Sequence, residues 1–470
     1  MELTALVLVH CASLVAAGHA MLTKRDPRSA LGWTAALVFL PAIGLVVYLI
    51  FGIGRAHSRA EKIMHRLADI SRKYALTQDD IKPGTLPGGE AERQAELAGR
   101  LTGTPLCAGN SVTPLHNGDE AYPAMLKAID EAQSHVFLGT YIFNSGVAAD
   151  KFIAALTRAH ERGVDVRVLV DGVGSLYSWH KPVRILAKKG IKTARFRPLS
   201  LIPLNLGINL RSHRKVLVCD SVGFTGGMNI SDGNLLKLNP HKKGKIQDVQ
   251  FYCEGPIVSQ LRRAFLLNWS FCTNEISILR PLDETPKGEC ACRAIMDGPG
   301  NDGDALNDII CGAINAASKS VLIMTPYFLP TPSLMAALRS AGQRSVDVRV
   351  ILPGDNNLKY MSWAMKRIMP RLLKAGVRIW QQAPPFAHTK VMAVDGYYSL
   401  VGSANMDSRS LLLNFELELE IYDCAFHDRL ATFMLGTLAR AREITLAELE
   451  TLSLGSRLRN AAVWLFSPYL

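Results

Sequence analysis

No C-x-x-C pair occurs in this chain, and its nine cysteines are odd in number and scattered. That spacing excludes a disulfide framework, and thiols such as Cys219 and Cys253, set inside apolar runs, fit a reducing compartment. Cys290 and Cys292 lie two apart without a second pair, so no metal site is expected there. Acidic residues are in deficit, 41 Asp+Glu against 53 Lys+Arg, for a formal net charge of +12. Charged residues make up only 20% of the chain and hydrophobic ones 48%, which excludes a disordered polymer. Long uncharged runs are confined to the N-terminus, which excludes a polytopic transporter. What remains is a folded body within 470 residues plus a small membrane element. The basic excess favours polyanionic partners, either nucleic acid or anionic lipid headgroups.

Between Arg28 and Arg55 no side chain is charged, and residues 29–54 have the length of one bilayer crossing. Trp33 and Tyr48 suit the two headgroup layers, and Pro41 is expected to kink the helix. Residues 3–23 form another uncharged run, interrupted by His10 and His19, and the two runs read as a helical hairpin. A cleaved signal peptide is disfavoured, because a basic n-region is missing and a second apolar run follows at once. Arg55, Arg59, Lys62, Arg66, Arg72 and Lys73 outnumber the basic residues of the hairpin loop, which places the body on the cytoplasmic side. The expected organisation is a membrane hairpin over 1–56, a basic segment and linker over 57–114, a first lobe over 115–282 and a linker over 283–300. A second lobe over 301–450 and a C-terminal membrane-surface segment over 451–470 complete it.

Beyond residue 114 the chain repeats itself. VDVRVLVDG at 164–172 returns as VDVRVILPG at 346–354, TYIF at 140–143 as TPYFLP at 325–330, and KKGIK at 188–192 as KAGVR at 374–378. A period this long is not that of a solenoid and indicates duplication of a whole domain. Short β-branched runs alternate with amphipathic stretches: a helix near 120–134, a strand at 135–143, a helix at 149–162 and a strand at 164–171. The alternation predicts an α/β fold with mixed sheets covered by helices.

Each copy carries one H-x-K-x4-D motif: His213, Lys215 and Asp220, then His388, Lys390 and Asp395. Each motif is followed by G-x-x-N, ending at Asn229 and Asn405. Two such matches at corresponding positions of a repeat are not accidental. Residues two apart on a strand share a face, so each His points with its Lys. Asp220 and Asp395 fall on the opposite face and read as hairpin or packing residues, although the motif groups them with the catalytic set. Two imidazoles, two ammonium groups and two amides form a cradle for a phosphodiester. One His attacks phosphorus, the other protonates the leaving oxygen, and the lysines and asparagines stabilise the growing charge. The scheme requires no metal and no cofactor. Each His needs an orienting carboxylate, and Asp248 in QDVQFYCEG and Glu416 in NFELELE are available.

The doubled motif resembles that of the phospholipase D superfamily. With TPYFLP, GSANMDSRS, NFELELE and the N-terminal apolar runs, nearly the whole chain resembles the bacterial cardiolipin synthase family. The resemblance implies two pseudo-symmetric phospholipase D-like lobes with one site between them. It implies phosphatidyl transfer between two phosphatidylglycerol molecules, giving cardiolipin and glycerol through a phosphatidyl-histidine on His213. His388 would protonate the departing glycerol and then deprotonate the acceptor. Lys215, Asn229, Lys390, Asn405 and Ser403 take phosphate-binding positions in this reading, and Asp248 and Glu416 orient the histidines. The implied partners are anionic phospholipid and the bacterial inner membrane, without nucleic acid, and an oligomer is left open. A phospholipase D-type hydrolase, or a transferase using phosphatidylethanolamine, shares the chemistry with another acceptor; a nuclease is the remote alternative.

Two asymmetries stand out. His213 to Asn229 spans 16 residues and His388 to Asn405 spans 17, so the first hairpin needs a tighter turn, between Asp220 and Gly223. Gly227 stands where the second copy has Ser403. Elsewhere, G-x-G-x-x-G at Gly298, Gly300 and Gly303 does not suit a nucleotide, because Asp297 and Asp302 would repel pyrophosphate. His241, Lys242, Lys243 and Lys245 read as a solvated loop. Residues 360–376, with Trp363 and Met369 among Lys366, Arg367 and Arg371, suit packing on the body and interfacial seating equally. The terminal cluster Trp464, Phe466 and Tyr469 suits docking onto lipid or a second chain.

Overall fold

The computed structural model describes residues 2–24, 26–52, 55–74, 80–81, 84–177, 181–198, 200–201, 204–205, 209–238, 243–277, 280–299 and 304–467. His241, Lys242, Gly300, Asp302, Gly303 and Tyr469 therefore lie outside the described residues. The chain forms two compact units, residues 1–62 and 63–470.

In the first unit, α1 (Glu2–Thr23) is uninterrupted. Its stretch Thr4–Thr23 is the one helix among the described residues long and apolar enough to cross a membrane. The expected second crossing is instead two short helices, α2 (Pro27–Phe39) and α3 (Pro41–Val47), with a π turn at Tyr48–Gly52. A helix the length of α2 extends about 20 Å, short of a hydrocarbon core of about 30 Å. Pro41 is the cause: it has no N–H for Leu37 O, and Leu40 leaves the helical region at φ −131° and ψ 63°. Gly44 then comes so close to Ala36 that a Cβ there would stand 2.3 Å from the Ala36 carbonyl oxygen. The anticipated kink is thus a break. Ser13 Oγ on α1 lies 3.0 Å from both Leu37 O and Pro41 O, so a hydroxyl replaces the donor that proline lacks.

In the second unit, the first half contributes β1 (Cys107–His116), β2 (His135–Thr140), β3 (Asp165–Asp171), β4 (Lys192–Phe196), β5 (Val216–Cys219), β6 (Val222–Gly226) and β7 (Val249–Glu254). The second half contributes β8 (Cys290–Asp297), β9 (Ser320–Met324), β10 (Asp347–Pro353), β11 (Arg378–Gln382), β12 (Val391–Val394), β13 (Tyr398–Gly402), β14 (Glu416–Tyr422) and β15 (Ala441–Glu443). All fifteen join one sheet, in the order β15-β11-β10-β9-β12-β13-β14-β8-β1-β7-β6-β5-β2-β3-β4. Outward from the central β8–β1 pair the halves run β1-β7-β6-β5-β2-β3-β4 and β8-β14-β13-β12-β9-β10-β11, the topological signature of duplication. In each half three strands are parallel and the others antiparallel, giving a mixed sheet. Antiparallel pairing of β1 with β8 makes the two halves one body.

Each half has its own apolar core, one around Phe152, Val168 and Leu217, the other around Ile310, Val350 and Leu400. The parallel strands β3 and β10 carry the largely buried runs VRVLV and VRVIL; Val147–Glu161 packs on β3, α4 (Ile257–Thr273) on its neighbours β2 and β4, and Pro332–Gln343 on β10. Helix α5 (Lys359–Leu373) buries Met361, Met365, Ile368 and Met369, so its apolar side packs on the body. Two residues, Asp220 and Ser221, turn β5 into β6, because Cys219 pairs with Val222. Three, Asp395 to Tyr397, turn β12 into β13, because Val394 pairs with Tyr398. That single residue is the whole difference between the two motif spacings.

Candidate active site

The two histidines lie just before β5 and β12, on short segments that pair with the opposite half. Ser212 bridges to Phe415, and His213 N donates to Phe415 O at 2.9 Å. Phe386–Ala387 runs parallel to Ile246–Gln247, and His388 N donates to Gln247 O at 2.7 Å. This crossing decides the carboxylate pairing. His213 Nδ1 meets Glu416 Oε2 at 3.0 Å, and His388 Nδ1 meets Asp248 Oδ2 at 2.8 Å, so each half orients the other half's histidine. With Nδ1 held by a carboxylate, Nε2 is the nitrogen each ring offers for chemistry, and at His388 Lys390 Nζ stands 2.9 Å from it.

Lys215 and Lys390 curl back along their strands, with Nζ at 2.6 Å from His213 O and 2.5 Å from His388 O. Both are almost fully buried. Tyr141 sets its ring edge-on to His213, 5.2 Å between centroids, and lies 5.6 Å beneath Lys215 Nζ. Asn229 accepts from Ile142 N at 3.1 Å through Oδ1, which leaves its NH2 as a donor. Asn405 donates to Ser410 Oγ at 3.3 Å, and its buried Oδ1 has no partner among the described residues.

Ser403, placed among the phosphate-binding groups by resemblance, instead donates to Glu416 Oε2 at 2.6 Å and accepts from Leu417 N at 3.0 Å. Its hydroxyl therefore supports a carboxylate. Asp220 and Asp395, which the motif counts with the catalytic set, are placed differently from its His and Lys. They end β5 and β12 at the far end from the histidines. Asp220 accepts from the amides of Gln133, Ser134 and His135, and Asp395 from those of Ser318, Lys319 and Ser320. Both carboxylates hold the start of a neighbouring strand.

Sequence reasoning missed the residues that fix the His213 segment. Arg211 and Asp171 form a fully buried ion pair, Nη2 to Oδ1 at 2.8 Å, and Ser212 N donates to Asp171 Oδ2 at 3.0 Å. Arg214 ties Glu416 O and Asp297 O with donor distances of 2.9 and 2.8 Å. The signal was present, because Asp171 stands where the repeat has Pro353, a departure inside its best-matched segment.

Burial governs the protonation states. It holds the His213 imidazole well below its ordinary value and takes His388 down to about 4, with the lysine charges pushing the same way. Burial also lowers Lys215 to about 7 and Lys390 to about 8, and lifts Glu416 to about 7. Every shift is toward the neutral form, as burial in a low-dielectric site dictates. A bound phosphodiester anion would favour the ammonium form of both lysines and an imidazolium beside the leaving oxygen.

Comparison with known proteins agrees with this geometry. The family described as "Cardiolipin synthase, PLD-like domain" matches residues 125–265 and 310–435, the two halves of the sheet. A "Phospholipase_D-nuclease N-terminal" family matches residues 3–52, in keeping with membrane association through α1. The chain is 32% identical over 470 residues to cardiolipin synthase A of Pseudomonas fluorescens strain SBW25, covering 98% of this chain and 97% of that relative. It is 30% identical over 474 residues to a cardiolipin synthase of Geobacillus strain WCH70, covering 99% and 93%. A phosphatidylserine synthase of Haemophilus influenzae Rd KW20, at 14% identity and a TM-score of 0.63, covers 80% of this chain and 100% of its own, and shares the fold. Duplicated sheet, crossed His–carboxylate pairs and full-length similarity converge: this chain belongs to the phospholipase D-like cardiolipin synthase family.

Proposed function

We propose that the protein joins two phosphatidylglycerol molecules into cardiolipin and releases glycerol, as the names of its relatives imply. The observation that carries the reading is the pair of crossed His–carboxylate contacts beside two buried lysines. His213 Nε2 attacks phosphorus of the first phosphatidylglycerol. The P–O bond to its terminal glycerol breaks, and the departing oxygen takes a proton from His388. The terminal hydroxyl of a second phosphatidylglycerol then gives its proton to His388 and displaces His213 from phosphorus. Lys215, Lys390, Asn229 and Asn405 hold the equatorial oxygens, whose charge grows in both steps. Glu416 and Asp248 keep each histidine in the Nδ1–H tautomer and stabilise its cationic form. The basic run from Arg55 to Lys73, which follows the apolar stretch 29–54, supports a cytoplasmic body at the bacterial inner membrane.

Full-length protein given phosphatidylglycerol with EDTA should form cardiolipin and glycerol in equal amounts, identified by mass spectrometry. His213→Ala and His388→Ala should each lower the rate by at least about a thousandfold, the scale of losing a nucleophile or a general acid. Phosphatidic acid as the main product would point to water as acceptor, and near-normal turnover by either variant would refute the two-histidine scheme.

A further inference from the structure

The C-terminal helix α6 (Leu454–Trp464) lies along α5 and turns one side toward it. That inner side is Asn460, buried, with half-buried Ser456, Val463 and Trp464, the last two packed on the core of the second half. The outer side is apolar. Leu454, Leu458 and Leu465, with Phe466 just beyond the helix, are 70%, 61%, 70% and 62% exposed, and exposed Ala462 continues the row. The spacing of four, four and three residues keeps them on one stripe. In the body, only one other large apolar side chain among the described residues exceeds 60% exposure, Leu176 at 63%, so this row is no sample of an ordinary surface.

Charge marks what covers it. Helix α6 carries Arg457 and Arg459 and no acid, and α5 carries Lys359, Lys366, Arg367 and Arg371 and no acid; Glu448 lies near Lys366, and the C-cap Lys374 pairs with Glu450 at 3.4 Å. Arg459 stacks over Trp363 at 4.4 Å and Arg367 over Trp464 at 5.8 Å, which holds guanidinium groups beside amphipathic rings. Exposed leucines flanked by arginines and indoles are the chemistry of a helix seated at an anionic bilayer surface, whereas a protein partner for so basic a patch would itself need to be acidic.

We propose that α6, backed by α5, is a seating element for an anionic bilayer: Leu454, Leu458, Leu465 and Phe466 enter the boundary between headgroups and acyl chains, and the flanking basic residues meet lipid phosphates. The inference goes beyond the reaction and depends on it only for its purpose, which is to hold the catalytic body at the surface where a lipid substrate resides. Attachment through α1 raises the local lipid concentration, so even a weak seat is occupied.

The test is hydrogen exchange of the full chain in nanodiscs. With phosphatidylglycerol in the bilayer, amides of 454–466 should exchange about tenfold more slowly than in purely phosphatidylcholine discs, at any protein concentration. Equal exchange in the two lipids overturns the proposal. Protection that rises with protein concentration and ignores lipid charge overturns it in favour of a second copy of the chain. A triple variant, Leu454→Ser, Leu458→Ser and Leu465→Ser, alters only exposed positions and should raise the KM for bilayer phosphatidylglycerol about tenfold. Its turnover of a short-chain phosphatidylglycerol dissolved as monomers should be unchanged. Equal loss on both substrates sinks the seating role, while failure of both proteins on the monomeric lipid would instead count against the proposed reaction.

Discussion

Gly227 and Ser403 occupy matched positions and serve the crossed carboxylates in opposite ways. Ser403 reaches out to Glu416. At Gly227 the shorter Asp248 fills the space itself, and a Cβ there would stand 2.6 Å from its Oδ1. Gly227→Ala must therefore push the carboxylate that holds His388, and kcat should fall about tenfold or more while thermal stability changes little. A variant with normal kcat would show that Asp248 can yield without consequence. The lysines give a pH signature. Their folded values, about 7 for Lys215 and about 8 for Lys390, lie below the ordinary lysine range, so the free protein loses phosphate-binding charge as pH rises through that window. kcat/KM should decline above about pH 7–8, whereas the limb in kcat should lie higher, because bound phosphodiester favours the protonated lysines. Coincident limbs would contradict this. At this scale the His–Lys pairs were legible, since parity on a strand is local. The partner of each histidine was not, because 203 residues separate His213 from Glu416 and 140 separate His388 from Asp248.

The hairpins β5–β6 and β12–β13 show how an element is positioned by its ends. Asp220 and Asp395 take left-handed backbone angles, φ 48° and 54°, and from there accept amide hydrogens at the starts of β2 and β9. Asp220→Ala leaves three N–H groups without that acceptor and should cost about 2 kcal/mol, with kcat of the folded fraction within about threefold of normal. Loss of all activity in a folded Asp220→Ala protein would return this residue to the catalytic set. The sign with pH follows for Asp395. Burial opposes ionisation, yet the amides of Ser318, Ser320 and Lys319 hold its pKa below the ordinary value. Its stabilising share is therefore present above the unfolded value near 4 and lost as pH falls through the lower folded one. Counting 16 against 17 residues was enough to find the tighter turn, because a hairpin is a local object. It was not enough at Pro41, where the sequence predicts a kink and the chain breaks, because the break depends on Ser13 in another helix, whose hydroxyl proton stands in for the N–H that Leu37 O lacks.

For the whole molecule, duplication alone does not make two sites. Residues 115–282 and 301–450 were expected as two lobes, and the repeat made that division legible; yet one sheet runs through both and each half lacks what its own histidine needs. Lobe boundaries follow from local sequence, but the crossing follows from the pseudo-twofold arrangement about β1 and β8, which no single stretch encodes. The crossing can be tested by cutting. Residues 283–289 join the halves along an exposed stretch, with Asp283, Thr285 and Lys287 all exposed. A protease site introduced at Glu284 should allow cleavage into two chains that remain together, since β1 with β8 and the two crossed histidine segments all bridge the cut. The nicked protein should co-elute as one species and keep most of its activity. Nicked protein carrying His213→Ala should match the uncut variant, and Glu416→Ala should affect the reaction as His213→Ala does although the two residues now lie on different chains. If the nicked halves stayed associated and Glu416→Ala cost less than about tenfold, the cross-strand orientation of His213 would lose its place in catalysis.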